Sequence, residues 1–395
     1  MRVLIIAPQP FFSPRGTPYS VYYRTLAAAE LGVEADLLTY AQGEDVAIPG
    51  VRIVRIPRLA FLGPIKIGPS WAKLVLDALL VVWTIGLLLR WRYHVVHAHE
   101  EAVFFCRFLK PLFRFKLIYD MHSSLPEQLT NFRFTKSRLL IGAFNWLETS
   151  SIRHADAVIT ICPDLAEHAL CLIDDPARHF LIENSLLDDV KLARPANGGQ
   201  AEAEPEGEPL PALPNRRLIV YAGTLEPYQG IDLLVHAFAA VRRHVPDAFL
   251  LVIGGTRQQV RNYRTIARAL GLESTDYRFT GQVSQRRARA DIRLAAVQVS
   301  PRLTGSNTPL KVYEQLASGV PLVATDVRSH TQVLDDEVAF LAAPEPEPFA
   351  EALIQALTDG AEAKRRAETA QRRYHERYGR EAYIAKMRRV LEAVS

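Results

Sequence analysis

The sequence predicts an α/β protein made of two doubly wound domains in tandem. Three observations carry this. Short β-branched runs alternate with longer helical patterns from Met1 to about Asp189. The same alternation resumes at Leu218. Between them, Ala193–Asn215 is rich in Pro, Gly, Ala and Glu and lacks aromatics. Strands that are apolar along their whole length are covered on both faces, and strand–helix alternation makes the sheets parallel. At 395 residues the chain exceeds one ordinary domain. With 49% hydrophobic and 23% charged residues, each half can bury a core. A disordered chain, a coiled coil and a collagen-like fibre are thereby excluded.

In order along the chain, Val3–Ala7 is a buried strand and Tyr19–Leu31 a helix. Asp36–Tyr40 and Arg52–Ile56 are strands, followed by a helix at Trp71–Trp91. Val95–His97, Leu117–Tyr119, Val158–Ile161 and Phe180–Ile182 are strands, with a helix at Leu139–His154. The opening run is not read as a signal peptide, because it has no small-residue cleavage site and Pro8 and Pro10 cut it short. Leu74–Leu89 is the most membrane-like stretch. It carries Asp77 and is shorter than the roughly 20 residues of a spanning helix, so it reads as a buried or interfacial helix.

In the second half, Leu218–Tyr221, Phe249–Ile253, Tyr277–Thr280, Val297–Ser300 and Leu322–Ala324 are strands. Helices fall at Ile231–His244, Gln258–Leu270, Pro309–Ser318 and Pro348–Thr358, and two Arg-rich helices broken near Gly379 end the chain. The expected divisions are a first domain over 1–190, a flexible linker over 191–215, a second domain over 216–378 and a C-terminal helix over 379–395.

Cys106, Cys162 and Cys171 are too few for a disulfide framework and stand in no metal-ligand spacing, so no metal site is expected. The net charge of +4 is modest, and no nucleic-acid-binding motif accompanies it.

The densest chemistry lies between Ser300 and Asp326. A strand ends near Ser300 and a polar loop follows. Thr308 is expected to cap a helix with Pro309 at its first position, where the missing N–H costs nothing. The free amides of Leu310 and Lys311 then point out of the helix start, where they and the dipole attract phosphate. Lys311 adds a full positive charge. Glu314 shares a face with Lys311 and suits hydrogen bonds from ribose hydroxyls, as acidic residues do in dinucleotide folds. On spacing alone the same residues also suit an ordinary capped helix with an i, i+3 ion pair.

This segment resembles the nucleotide-sugar signature of family 4 glycosyltransferases. These have the GT-B fold, two Rossmann-like domains facing across a cleft. Tyr221–Phe238, Leu251–Gly255, Phe279–Val283 and Glu314–Ala324 fit the same family, as do Arg2–Ile6, the Arg15-Gly16 loop, His97–His99 and Tyr119–His122 in the first half. The resemblance covers nearly the whole chain except the linker. It implies retaining transfer from a nucleotide diphosphate sugar without metal or other cofactor. The donor would lie on the C-terminal domain and the acceptor on the N-terminal one, with the last helix crossing back onto the N-terminal domain.

Residue by residue, Glu314 matches the second glutamate of the family's E-x7-E pair, which holds the ribose. Ser306 stands where the first glutamate, which touches the donor sugar, is expected, and Pro309 replaces a glycine. Thr224, after Gly223, and Gln229 occupy places where the family often has Arg and Lys. A dianionic leaving group still needs compensation, so Arg302 and Lys311 are expected to supply it, with Arg15 as a third cation. Gly16, Gly254, Gly255 and Gly281 would line the base and phosphates, and the backbone at Val283 would meet the base. Ser306, Asn307, Thr308, Pro309 and Leu310 complete the donor loop. His122 matches a histidine that contacts the donor sugar, which makes His122, Lys311 and Arg302 the catalytic candidates. His99, Asp120 and Glu127 are the acceptor-side candidates.

Arg107, Lys110, Arg114, Lys116, Arg133, Lys136 and Arg138 interleave with Phe104, Phe105, Phe108, Phe113, Phe115, Phe132 and Phe134. The pattern suits an anionic membrane surface, and equally a solvated helix face over core aromatics. The expectation is a cytoplasmic enzyme, peripheral on the inner face of the plasma membrane, in bacterial polysaccharide or glycolipid synthesis. It would move a sugar from a nucleotide-sugar donor, a UDP-sugar in preference to GDP-mannose, to a glycan or lipid-linked acceptor. Two rival readings are a catalytically silent donor-binding subunit of a synthesis complex and a nucleotide-sugar epimerase. The missing first glutamate motivates the former. The lack of a recognisable acid–base carboxylate set counts against the latter. The sequence does not set an oligomeric state.

Overall fold

A computed structural model describes residues 1–13, 16–59, 71–124, 138–183 and 216–395. Arg15, Glu127, the cluster at 132–136 and the expected linker at 191–215 lie outside the described residues. The chain divides into two units, one of Met1–Asn197 with Gly379–Ser395 and one of Gly198–Tyr378.

The first unit is built on seven strands: β1 (Arg2–Ala7), β2 (Glu34–Thr39), β3 (Val51–Arg55), β4 (Val95–His99), β5 (Lys116–Met121), β6 (Ala157–Thr160) and β7 (His179–Leu181). They pair in the order β3-β2-β1-β4-β5-β6-β7, all parallel. The helices are α1 (Gly16–Glu30), α2 (Trp71–Arg90), α3 (Ala102–Phe113), α4 (Arg138–His154) and α5 (Pro163–Leu170). The strands are apolar along their length because both faces are covered. One face packs on α1 through Tyr22, Tyr23 and Ala27, and on the chain's last helix through Met387 and Val390. The other packs on α2 through Leu76 and Leu80, on α3 through Val103 and Cys106, and on α4 through Ile152.

The second unit repeats the plan with β8 (Arg217–Ala222), β9 (Ala248–Ile253), β10 (Tyr277–Phe279), β11 (Val297–Ser300), β12 (Leu322–Thr325) and β13 (Phe340–Ala342), ordered β10-β9-β8-β11-β12-β13. Its helices are α6 (Ile231–His244), α7 (Arg257–Ala269), α8 (Gln285–Ile292), α9 (Leu310–Ala317), α10 (Arg328–Thr331), α11 (Pro346–Thr358) and α12 (Gly360–Arg377), and α13 (Arg380–Ala393) ends the chain.

In each sheet the strand order reverses once, between β1 and β4 and between β8 and β11. Connections leave such a point in opposite directions and open a crevice at the carboxyl ends of the strands. The chemistry-bearing residues sit at these ends.

The sequence pattern misses α3, α5, α8, α10 and β13. β13 and α10 are only 3 and 4 residues long. α8 (QRRARADI) offers no apolar stripe to read, and α3 mixes aromatics with cations and carries Pro111. Of the two readings of α2, buried or interfacial, the fully buried one is not met, because most of the helix is not buried. Leu76, Leu80, Thr84 and Leu88 face the core, whereas Leu74, Val75, Val82 and Leu89 are exposed. Among the described residues, Ala72–Arg90 is the one segment long and apolar enough to cross a membrane by length and composition. Its mean hydropathy is 2.1 and 22% of its window is buried.

Close backbone approach fixes Gly254 in the second unit. Gly254 has φ 115°, and a Cβ there would run into the Gly223 carbonyl. Gly254→Ala should therefore lower stability by about 1–3 kcal/mol, the usual cost of one strained backbone position. Gly360→Ala, whose Cβ would meet nothing, should stay within about 0.5 kcal/mol. Equal denaturant midpoints for the two variants would show that position 254 has no need of glycine.

Candidate active site

The donor-side candidates collect at the carboxyl ends of β8 to β11. β8 runs into Gly223 (φ 152°), β9 into Gly254 and Gly255 (φ 88°), and Gly281 (φ 73°) follows β10. The Gly223 N–H donates to the Ile253 carbonyl (3.0 Å) and the Gly254 N–H to the Gly281 carbonyl (2.9 Å), which ties these turns together through backbone. Val283 packs against the adjoining core. The loop after β8 is curled by the Tyr221 hydroxyl, which donates to the Thr224 carbonyl (2.6 Å). It lies against the loop after β11, where Leu303 N–H donates to the Tyr228 carbonyl (2.9 Å). Gly230 (φ 70°) permits this approach, since a Cβ there would strike the Pro301 carbonyl.

α9 begins at Leu310. Pro309 is extended (φ −64°, ψ 136°) and serves as the cap, with no side-chain cap bond. The expected Thr308 cap is thus corrected. The Thr308 hydroxyl is buried and has no hydrogen-bond partner among the described residues. Lys311 Nζ donates to Gln229 Oε1 (3.0 Å) and lies 4.2 Å from the centre of the Tyr221 ring. It makes no ion pair with Glu314, which corrects the i, i+3 reading. Burial, with Arg302 as a second cause, lowers the Lys311 pKa to about 7, so the full positive charge expected there is also corrected. Burial raises Glu314 above its ordinary carboxylate range, and Arg289 on α8 opposes this. Arg302 folds onto its own loop. Its Nε donates to the Thr304 carbonyl (2.6 Å), its guanidinium sits 5.4 Å from the Tyr228 ring centre, and Gly305 leaves room for it. Ser306 is exposed, and its carbonyl accepts from Gln332. Asn307 and Leu310 are half-buried beside it.

In the first unit a polar cluster sits inside the sheet at the β4 and β5 ends. Arg24 Nε donates to Asp120 Oδ2 (3.0 Å), and both side chains are fully buried. Arg24 also donates to the Tyr383 hydroxyl and to the Ile182 carbonyl (2.6 Å). His97 Nε2 lies 3.0 Å from the same Asp120 oxygen, and His99 Nδ1 lies 3.0 Å from His122 Nε2. One of that last pair must be the donor, so the two rings share a single proton between those atoms. Burial pushes His99 well below its usual value and His122 to about 4, although Asp120 pulls both the other way. Burial opposes ionisation of Asp120, yet Arg24 first, then His122 and His99, hold it well below the usual range.

His97, His99 and Asp120 bring ligand atoms within 4.8 Å of one another. Two imidazoles and a carboxylate suit a divalent cation. Arg24 already neutralises Asp120, however, so the donor set does not fit a second positive charge.

His122 and His99 come together, with His99 inside β4 rather than after it. Asp120 is a correction. It has no exposed side-chain surface and anchors Arg24 instead of meeting an acceptor. Gly16 opens α1, and a Cβ there would meet nothing within 4 Å. Sequence reading missed four residues. Gln229 holds Lys311, and Arg289 bears on Glu314. His330, fully buried, lies 2.8 Å from Ser300 Oγ at the β11 end. Glu100 follows β4 with φ 49°, accepts from the Ser123 hydroxyl (3.0 Å), and is raised by burial to about 8. A glutamate directly after a strand that ends in His99 was the available signal for Glu100.

Two reversed parallel sheets, each with polar residues at its carboxyl crevice, define a GT-B α/β protein. Residues 216–359 match the family described as "Glycosyl transferases group 1", and residues 20–185 match "Glycosyl transferase 4-like domain". Together these take in most of the chain, and the chain belongs to the GT-B glycosyltransferases of the family 4 type. It is 30% identical over 208 residues to a phosphatidyl-myo-inositol mannosyltransferase of Mycobacterium leprae, covering 49% of this chain and 54% of that one. It thus spans about half the length of that relative. A phosphatidyl-myo-inositol mannosyltransferase of Mycolicibacterium smegmatis is 24% identical, with 100% of this chain and 94% of that one covered. Among solved structures, HepE of Anabaena in complex with UDP superposes with a TM-score of 0.71 at 16% identity, covering 100% and 99% of the two chains.

One pH effect follows from the buried imidazoles. Burial lowers His330 to about 4 in the folded chain, against about 6.5 unfolded. The unfolded state then binds more protons between these values, so stability falls as pH drops from about 6.5 to 4. The wild-type unfolding free energy should fall more steeply over that window than that of His330→Asn. Parallel pH curves would show that position 330 titrates alike in both states.

Proposed function

We propose that this protein transfers a sugar, with retention, from a nucleotide diphosphate sugar to a lipid-linked acceptor at a membrane surface. The observation that carries the donor half is Lys311, held by Gln229 at the start of α9 beside the orphaned Thr308 hydroxyl. An arriving diphosphate would find two α9 amides, a lysine poised near neutrality and the Arg302 fork. Glu314 would accept from the ribose hydroxyls. The reading assigns compensation of the leaving group to these groups and includes no metal. HepE, whose structure was solved with UDP, favours a uridine nucleotide. The mannosyltransferase relatives, named for phosphatidyl-myo-inositol, favour a lipid acceptor and keep GDP-mannose in contention. In the first unit, His122 is the residue this reading assigns to the sugar, with Asp120 and Arg24 as positioning residues behind it.

The sign of the pH effect on donor binding is fixed by Lys311. Its pKa is about 7 in the empty chain, and an adjacent diphosphate would raise it. Binding then takes up a proton, so affinity for UDP-glucose or GDP-mannose should fall as pH rises above about 7. Lys311→Met should flatten that slope. Lys311→Ala and Arg302→Ala should each lower turnover at least ten-fold, about 1.4 kcal/mol. Glu314→Ala should weaken nucleotide binding by about 1.5–3 kcal/mol. Full turnover and unchanged calorimetric affinity in all three alanine variants would remove this donor site.

The membrane half rests on α2 and its neighbours. Leu89 (75% exposed) on α2, Phe108 and Leu112 (73% exposed) on α3, and Trp146 on α4 are exposed apolar groups. The other face of α2 is packed on the sheet, so the helix would lie in the interface and not span it. Part of the expected basic patch is spent internally. Lys110 and Lys116 both pair with Asp156, Phe115 is buried, and Phe104, Phe105 and Phe113 pack against the core. Arg107 stacks near Phe108 and Trp146, and Arg90 and Arg114 end their helices. Vesicles should bind the chain, more strongly with anionic lipid at low salt. Val82→Asp with Leu89→Asp should remove most binding, and Arg114→Glu should remove only the salt-sensitive part. Unchanged co-sedimentation of the double variant would refute an interfacial α2.

A further inference from the structure

We propose that a second anion site, separate from the donor loops, binds a phosphate group at the amino ends of β8, β9 and β10. A cavity of about 510 Å³ opens there, lined by Arg216, Arg264, Arg268 and Arg278 over buried Tyr277 and Phe279. No residue lining it is acidic. Arg216 precedes β8 and Arg278 lies in β10, while α7 runs back along the sheet and brings Arg264 and Arg268. The donor loops leave the opposite, carboxyl, ends of these parallel strands.

The arginines are placed with more order than a solvated face requires. Arg257, Arg261, Arg264 and Arg268 recur at spacings of 4, 3 and 4, which puts them in one stripe along α7, and α7 contains no acidic residue. Like charges at this spacing destabilise a helix. Arg264 is pinned by the Phe279 carbonyl (2.9 Å) and Arg216 by the Pro246 carbonyl (3.3 Å), which leaves their remaining N–H donors for a ligand. The nearby acids are engaged elsewhere. Asp276 is bound by Arg242 (2.7 Å) and by the Glu273 N–H, and Asp247 by Arg217 (2.6 Å). Glu273 is exposed on the loop before the cavity. Three guanidinium groups, those of Arg216, Arg264 and Arg268, around one aromatic-floored concavity gain most from an anion that several forks can grip at once. Phosphate oxygens match that geometry. A soluble phosphate ester and a lipid headgroup offer the same chemistry.

Two probes separate these sources on the full chain: calorimetry with inorganic pyrophosphate, and co-sedimentation with phosphatidylcholine vesicles with or without phosphatidylglycerol. Arg264→Gln with Arg268→Gln should weaken pyrophosphate binding at one site at least ten-fold, while Lys311→Ala leaves that site intact. This result supports a soluble phosphate ligand and is independent of the donor reading, which Lys311→Ala tests. A ten-fold loss confined to the phosphatidylglycerol vesicles supports a lipid headgroup. Arg268→Gln alone, at an exposed position, repeats the test if the double variant melts early. Unchanged binding of both probes in the arginine variants overturns the proposal.

Discussion

The first unit depends on one buried ion pair. Arg24 and Asp120 have no exposed side-chain surface, and desolvating two charges is costly unless their remaining hydrogen-bonding groups are met. Arg24, from α1, is met by the Ile182 carbonyl after β7 and the Tyr383 hydroxyl from α13, and Asp120 Oδ2, from β5, by His97, while Asp120 Oδ1 has no hydrogen-bond partner among the described residues. The last helix of the chain is thus tied by a polar bond, and by Met387 and Val390, to the first helix and sheet. The same carboxylate orients His97, and through it the His99–His122 pair acquires a fixed arrangement. Removing either partner would leave a buried charge uncompensated, which typically costs about 3–5 kcal/mol. The arrangement of the histidines is therefore a consequence of how the unit is held together.

The second unit solves a different electrostatic problem. Thr224 and Gln229 stand at two places where cations are usual in the family, yet Gln229 is not a vacancy. Its carbonyl oxygen receives Lys311 from α9 at 3.0 Å. The amino group therefore reaches the neighbourhood of the absent lysine from another element. Burial has a cost, which shows as a pKa lowered to about 7. An anion beside this amino group would favour its charged form and raise that pKa again. On the proposed reading, substrate binding therefore restores the missing cation.

Much of this was legible in the sequence. Apolar runs such as Leu4–Ile6 and Leu250–Val252 announced covered parallel strands, and the glycines after β8, β9 and β10 announced turns that a side chain would obstruct. The spacing of Lys311 and Glu314 on one helix was legible as well, but its meaning was not. Periodicity reports which residues share a face and says nothing of a partner such as Gln229, 82 positions away. Arg24 and Asp120, 96 positions apart, could not be joined for the same reason. Asp120 looked available because acids usually face water. α2 stayed open between two readings for a different reason. An apolar sequence resembles a core helix whether its second face meets protein or something else, and only the packing of Leu76 and Leu80 against exposed Val82 and Leu89 separates the two.

The two units also differ in how they treat exposed surface. The first leaves an apolar helix face beside stacked Arg107, while several of its lysines are spent on Asp156. The second leaves an arginine stripe on α7 with no carboxylate in the cavity it borders. Apolar exposure costs roughly 25 cal/mol per Å² in water, and unpaired arginines repel one another unless an anion intervenes. Neither surface is the lowest-energy solution for a chain alone in water. The first becomes favourable against hydrocarbon and the second against phosphate.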